Sequence, residues 1–182
     1  MKRLGSGDSN LYHPFLYYLI FYDCERKTFI LCVIYMVHAL GHMSIIYHYG
    51  YGYSKKLCEG VTSWYLNNFY PRHKITIEVQ HRGLKREGVR GYCDILGNQY
   101  RPRSFLIELD TNMDEELYTR TLIHELTHMS QWIRGTLKNR SGRMYYAGKR
   151  VDEYDYWQQP HEVEAREDEE RLYFWYLHDL VV

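Results

Sequence analysis

The hydrophobic and polar positions of this chain follow a helical period most clearly in its second half. Four residues at three- and four-residue spacing fall on one face of a helix, namely Leu117, Thr121, His124 and His128. Side chains with this spacing stack one turn above another. Residues 111–112 suit an N-cap, acidic residues 114–116 suit the first turn, and Gly135 suits a helix stop. The pattern therefore predicts a long amphipathic helix that ends at Gly135.

The rest of the pattern predicts a mixture of helices and strands. Helical spacing also occurs in residues 56–69, and again from Pro160 to about residue 178. The other predicted elements are strands at residues 75–79 and Ser104–Asp110, a hairpin or loop at residues 83–97, and a Gly- and Arg-rich loop at residues 139–149. A chain of 182 residues with both kinds of element indicates one α+β domain with a normal core.

The predicted helix carries the run His124-Glu125-Leu126-Thr127-His128, an HExxH pattern. Its two imidazoles lie one turn apart and can reach a single zinc ion at about 2.0–2.1 Å. Glu125 is then placed to act as general base on a zinc-bound water, whose pKa the metal lowers to about 7. A helix can bury two histidines for packing alone, but that role does not account for a glutamate beside one of them on a core-facing stripe. The pattern predicts the chemistry of a zinc metallopeptidase.

A catalytic zinc needs a third protein ligand from elsewhere in the chain. The metzincin arrangement is excluded, because it requires Gly and His where this sequence has Gln131 and Arg134. The candidates are Glu162, then Glu164, then His161. Glu162 ranks first because it shares a helical stripe with Ala165, Glu169, Leu172 and Tyr176. The acidic run at residues 167–170 is expected to be mostly a solvated face.

These residues resemble a known family. The HExxH helix, followed by a second helix that begins PHEVEARE at Pro160, is similar to the gluzincin-type members of the SprT-like zincins, in particular small metallopeptidases encoded by phages and other viruses. The similarity covers roughly residues 55–179. The HExxH pattern is specific for zincins, whereas the second run is only suggestive of the subgroup. Spartan-like relatives take a histidine closer to the motif as third ligand, and no histidine lies between His128 and His161. Their DNA-crosslink repair role is therefore not implied.

The resemblance implies a zincin-like fold, with a small mixed sheet, an active-site helix and a C-terminal helix that carries the third ligand. It implies that His124, His128 and Glu162 bind Zn²⁺, that Glu125 is catalytic, and that the substrate is a peptide or protein. In zincins the strand before the active-site helix is usually the sheet edge that pairs with extended substrate, so Ser104–Asp110 is expected to be that edge.

Charge is balanced overall but unevenly distributed. The net charge is zero, yet residues 72–103 contain eight basic and three acidic residues. This stretch is more often a solvated loop than a nucleic-acid surface, so nucleic acid is the less favoured partner. The four cysteines show no C-x-x-C spacing. They favour reduced thiols in the cytoplasm, of the host cell if the protein is viral, over disulfides or a second zinc site.

Residues 1–52 form an apolar, Tyr-rich extension that lies outside the resemblance, and residues 53–182 form the predicted zincin-like domain. Within the extension, residues 29–47 are nineteen residues without a formal charge. Their hydropathy marginally suits a membrane span, but His38, His42 and Ser44 interrupt it. Two interpretations stay open for the extension, an upstream reading frame or a membrane-associated segment, and membrane association is the less favoured.

The sequence thus predicts a zinc-dependent metallopeptidase that hydrolyses peptide bonds. Four tyrosines in or near the segment between the two helices are candidate oxyanion donors, although packing is their commoner role, and they are Tyr145, Tyr146, Tyr154 and Tyr156. Two other classes remain open. One is a zinc-stabilised binding or regulatory module with little or no proteolysis. The other is a nucleic-acid-associated protein that uses the basic residues 72–103.

Overall fold

A six-stranded sheet and three helices form the body of the protein. The computed structural model describes residues 16–23, 28–39 and 42–181, with side chains described from Ser44 onward. The elements are β1 (Leu16–Asp23), β2 (Thr28–Ala39), β3 (His42–Gly50), α1 (Lys55–Phe69), β4 (Thr76–Arg82), β5 (Gly91–Ile95), β6 (Ser104–Asp110), α2 (Glu115–Arg134), β7 (Leu137–Arg140), β8 (Arg143–Tyr146), β9 (Lys149–Arg150) and α3 (Pro160–Val181). Short 3₁₀ turns precede β5 and α3.

The large sheet is mixed, with strand order β1-β2-β3-β4-β6-β5. Strand β4 runs parallel to both β3 and β6, and the other neighbours are antiparallel. Alternate side chains of β4 and β6 are buried, which is the pattern of strands covered on one face. They join residues of all three helices in one hydrophobic core. The prediction of an α+β fold with a small mixed sheet and a C-terminal helix is confirmed.

Three local predictions need correction. Strand β6 is not the sheet edge, because the short strand β5 from the Gly-rich stretch pairs with it antiparallel and lies outside it. Residues 139–149 are not a loop but most of a small three-stranded sheet, β7-β8-β9. The turn between β7 and β8 consists of two residues, Ser141 and Gly142. Both have positive φ, which is the geometry of a tight hairpin. The N-cap of α2 is Asp114, whose carboxylate accepts a hydrogen bond from the Leu117 N–H at 2.8 Å.

Strand β3 extends the sheet across the boundary predicted at residue 52. It pairs with β4 from Ile45 to Gly50, and the side chains of Ile46 and His48 are buried. The His48 ring lies 2.6 Å from the Glu59 carboxylate of α1 and 2.8 Å from the Tyr53 hydroxyl. Residues 42–50 therefore contribute to the same core as the helices.

The uncharged residues 29–47 lie on β2 and β3, apart from residues 40–41, which fall outside the described part of the chain. No helix within the described residues is both long enough and apolar enough to cross a membrane. Cys58 and Cys93 are free thiols. Residues 1–15 of the predicted extension and Cys24 also lie outside the described residues.

Two neighbouring substitutions test whether β3 belongs to the core. Ile46 is completely buried, whereas Ile45 on the opposite face of the sheet is only partly buried. We expect Ile46→Ala to lower the free energy of unfolding by about 2–5 kcal/mol, because it removes buried methyl groups and leaves a cavity. The same change at Ile45 should cost less than half as much. Urea denaturation of the full chain measures both, and equal small losses would contradict this placement of β3.

Candidate metal centre

The two histidines lie on helix α2, whose beginning and end are both fixed by capping residues. Asp114 caps the first turn, and Gly135 ends the helix with a φ of +70°, a left-handed conformation that favours glycine. His124 and His128 lie one turn apart on the face that packs against α3. Ala165 of α3 is fully buried in this contact region, and its small side chain allows the helices to approach closely.

The first turn of α3 brings the Glu162 carboxylate to the two imidazoles. The Nε2 atoms of His124 and His128 are 3.1 Å apart. Glu162 Oε2 lies 3.4 Å from His124 Nε2, and Glu162 Oε1 lies 3.4 Å from His128 Nε2. In a tetrahedral zinc site with bonds of about 2.0–2.1 Å, neighbouring donor atoms are about 3.3–3.4 Å apart. These three side chains form a group that can hold a metal ion, with each imidazole nearest to a different oxygen of the Glu162 carboxylate.

The second nitrogen of the His128 ring has a partner that fixes its protonation. His128 Nδ1 lies 2.9 Å from Gln131 Oε1. The Gln131 amide nitrogen donates to the His161 carbonyl and to the Glu164 carboxylate, each at 2.8 Å, so Oε1 is the accepting side of the amide. His128 Nδ1 must therefore carry a proton. Its Nε2 atom is left to present a lone pair to the metal group.

Glu169 is the hydrogen-bond partner of the other nitrogen of the His124 ring. Its Oε2 atom lies 3.2 Å from His124 Nδ1 and accepts the ring proton. Metal-bound histidines characteristically donate their other N–H to a carboxylate or carbonyl in this way. Neither Glu169 nor Gln131 was predicted to have this role. The available signal was helical spacing, since Gln131 lies three residues after His128 and Glu169 lies on the predicted stripe of α3.

One oxygen of the Glu162 carboxylate is buried without a hydrogen-bond donor. This atom, Oε2, is the one that lies 3.4 Å from His124 Nε2. A buried carboxylate oxygen is costly unless a donor or a cation compensates its charge. A metal ion bound by the three side chains would supply that positive charge, so the donor set fits a divalent metal.

The charges of the site shift the pKa values of its members. Burial lowers the pKa of His124, but the carboxylates of Glu162 and Glu169 outweigh burial and raise that pKa to about 9. Burial raises the pKa of Glu162, but the two histidines outweigh it and hold that pKa far below its usual range. The metal-free site therefore retains a proton at neutral pH where a metal cation would bind.

The other two candidate ligands do not join this group. The Glu164 carboxylate is engaged by Tyr146, Gln131 and Arg134. His161 is buried next to the site, with its Nε2 atom 3.8 Å from Glu162 Oε1, yet it lies outside the group of three donors. Of the residues named from the sequence, the structure therefore brings together His124, His128 and Glu162.

Glu125 points to another side of α2, toward strand β5. Its carboxylate lies against the Gly91 backbone, where an added Cβ would be only 2.6 Å from Glu125 Oε1. A side chain at position 91 would force this carboxylate to move. Burial raises the pKa of Glu125, and the positive charges of His128 and His124 oppose that rise. A raised pKa suits a carboxyl group that must accept and then release a proton near neutral pH.

One of the four candidate tyrosines lies beside the metal group. Burial and the adjacent Glu162 carboxylate raise the pKa of the Tyr156 phenol. Tyr146 instead donates its hydroxyl proton to Glu164. Tyr145 lies under the guanidinium of Arg140. Tyr156 is therefore the tyrosine best placed to reach a ligand at the metal group.

Comparison with known proteins adds no family to this description. No protein-family model matches the chain, and neither the curated proteins nor the solved structures contain a match to it. The resemblance to SprT-like and gluzincin peptidases thus rests on the sequence pattern alone. The structure itself shows a group of two histidines and one glutamate that can hold a metal ion.

Two glutamates two residues apart on α3 give a matched test of the ligand set. We expect wild-type protein to bind about one zinc per chain, and Glu162→Ala to weaken binding about 100-fold or more, since a ligand is lost outright. Glu164→Ala should retain the metal, because its carboxylate is engaged elsewhere. Elemental analysis and zinc titration measure both variants. Equal retention by the two variants would show that Glu162 is not a ligand.

Zinc binding should release a proton. Because the pKa of His124 is raised to about 9 in the metal-free site, this histidine is protonated at pH 7.5, and zinc must displace that proton. Zinc affinity should therefore rise about tenfold per pH unit between pH 6 and pH 9 and then level off. Isothermal titration calorimetry in buffers of different ionisation enthalpy counts the protons. A heat independent of the buffer would contradict the protonated site.

Proposed function

We propose that this chain is a zinc-dependent peptidase whose metal ligands are His124, His128 and Glu162. The observation that carries the proposal is the convergence of three side chains from two helices. The Nε2 atoms of the two histidines are 3.1 Å apart, and each lies 3.4 Å from one oxygen of the Glu162 carboxylate. Support comes from Gln131 and Glu169, which orient the two rings so that both Nε2 atoms face the group. A fortuitous cluster of surface residues would not have its outer hydrogen bonds satisfied in this way.

The number of ligands favours catalysis over a purely structural role. Structural zinc sites are usually closed by four protein ligands, commonly cysteines and histidines, whereas catalytic sites keep one position open. The donor group within the described residues has three members, and neither free thiol, Cys58 or Cys93, belongs to it. A three-ligand site leaves the fourth position for water and substrate.

Glu125 is the residue that moves protons in the proposed reaction. Zinc, when bound, polarises the substrate carbonyl and lowers the pKa of a coordinated water to about 7. Glu125 follows His124 directly in the helix, and its buried carboxylate has a raised pKa. It accepts the proton of the attacking water and then gives it to the departing amine of the cleaved peptide bond. Tyr156, beside Glu162, is placed to donate a hydrogen bond to the oxyanion.

Among the described strands, β5 has a neighbour on one side only, and its other side offers a place for an extended peptide. The Asp110 N–H donates to the Arg90 carbonyl, and the Leu96 N–H donates to the Ser104 carbonyl. Hydrogen-bonded pairs alternate along an antiparallel ladder, so the main-chain groups of three β5 residues face outward, and these are Gly91, Cys93 and Ile95. Because Gly91 lies against Glu125, a peptide added to this edge would pass the proposed base.

Glu125→Gln separates catalysis from metal binding. We expect the variant to keep its zinc and to cleave peptides about 10²–10⁴-fold more slowly, because the amide cannot accept the proton. The matched control is Glu116→Gln, the same change in an exposed residue in the first turn of α2. Mass spectrometry of a library of unstructured peptides measures the cleavage. If zinc-loaded wild-type protein cuts no peptide, the chain is a zinc-stabilised binding module and the peptidase proposal is wrong.

A further inference from the structure

The small sheet β7-β8-β9 presents four basic side chains around one tyrosine on a single face. Arg140 pairs with Arg143 across the β7-β8 hairpin. Tyr145 pairs with Lys138 on one side and with Arg150 on the other. Residues paired directly across strands, and residues two apart along a strand, point to the same side of a sheet. We call these five residues the basic face.

The opposite side of this small sheet attaches it to the domain. Leu137, next to Lys138 in β7, is buried. Tyr146, next to Tyr145 in β8, donates its hydroxyl proton to Glu164 of α3. Since neighbouring strand residues alternate between faces, the basic face points away from the body of the protein. Its charges are therefore presented to solvent.

Only one of these four basic side chains forms an ion pair with a residue that the structure describes. Residues 134–150 contain six basic residues and no acidic residue. Arg150 is paired with Asp152 and Glu153. Within the part of the chain that the structure describes, the other three basic side chains of the face form no ion pair, and these are Lys138, Arg140 and Arg143. Arg150, and less strongly Arg143, lower the pKa of the Asp152 carboxyl, so Arg143 has an acidic group nearby. An anionic partner would find three cations of one surface outside ion pairs.

The hairpin keeps two like charges directly opposite each other. Ser141 and Gly142 form its two-residue turn with φ values of +52° and +78°, and this turn fixes the register that pairs Arg140 with Arg143. Like charges in this position repel each other. An anion bound between the two guanidinium groups would remove that repulsion. The Arg140 guanidinium also lies 5.6 Å from the centre of the Tyr145 ring, and both groups are of the kind that stack on nucleic-acid bases.

We propose that the basic face binds single-stranded nucleic acid, with Arg140, Arg143 and Lys138 on the phosphates and Tyr145 against a base. Lys138 and Arg140 are two residues apart, so their positions repeat at about 7 Å along the strand. Cations combined with an aromatic ring on which a base can stack are the usual means of holding single strands, and Tyr145 is half-buried within the basic face. This surface differs from the basic residues 72–103. The proposal does not rest on the peptidase function.

A charge-reversal pair with a matched control tests this surface. The test variant is Arg140→Glu with Arg143→Glu, and the control is Lys85→Glu with Arg86→Glu, the same charge change on exposed residues of the 72–103 stretch. Fluorescence anisotropy with the full chain and a labelled 20-nucleotide single-stranded DNA gives affinity over a salt series. Loss of two phosphate contacts should lower affinity at least tenfold and reduce the slope of log affinity against log salt by about 1.4. The control should keep the wild-type slope.

Further outcomes distinguish nucleic acid from other polyanions. Tyr145→Leu should weaken binding about fivefold or more at an unchanged salt slope, because a base loses its stacking partner. Equal losses in the test variant and its control would overturn the proposal, since net charge alone would explain them. Displacement of the DNA by polyglutamate at the same concentration of charge would also overturn it and indicate an acidic protein segment. Circular dichroism and zinc content verify that each variant is folded.

Discussion

A carboxylate buried between two helices must meet positive charge, and in this protein that requirement falls on Glu162. Its Oε2 atom is buried without a donor, and the two imidazoles of α2 face it. Leaving such a charge uncompensated in a helix interface costs several kcal/mol, about as much as a sizeable part of the stability of a small domain. The packing of α2 on α3 therefore depends on a cation at this point, either a proton shared with the histidines or a metal ion.

The opposite end of α2 is fixed by neutral polar contacts. His81 of β4 is bonded through Nδ1 to the Tyr49 carbonyl and through Nε2 to the Tyr118 hydroxyl. Burial lowers the pKa of His81 to about 4, so this ring stays neutral and accepts the Tyr118 proton. Around these two contacts lie fully buried apolar residues of α2, which are Leu122, Ile123, Leu126 and Met129. The helix is thus anchored to the sheet at one end and to α3 at the other, with apolar packing between them.

Much of this arrangement follows from sequence periodicity. The spacing of His124 and His128 and the stop at Gly135 predicted the course of α2, and the stripe through Glu162 and Ala165 predicted which side of α3 meets it. The contacts between distant segments could not be predicted in the same way. Whether β5 covers β6 depends on pairing in a Gly-rich stretch whose period is weak, and β3 joins the sheet through a parallel partner far along the chain. In the sequence, Glu169 is one of several adjacent acidic residues expected to be solvated. Only the distance from its carboxylate to His124 Nδ1 distinguishes it from them.

The ligands of the metal group come from two helices with the whole β7-β8-β9 sheet between them. During synthesis, the two histidines are made before Glu162, and α3 can pack on α2 only after residues 135–159 and α3 itself have been made. A nascent chain that carries the HExxH run alone therefore has two ring nitrogens and no third donor. A chain made only as far as the HExxH run therefore has an incomplete metal group, which is completed when α3 is made and packs on α2.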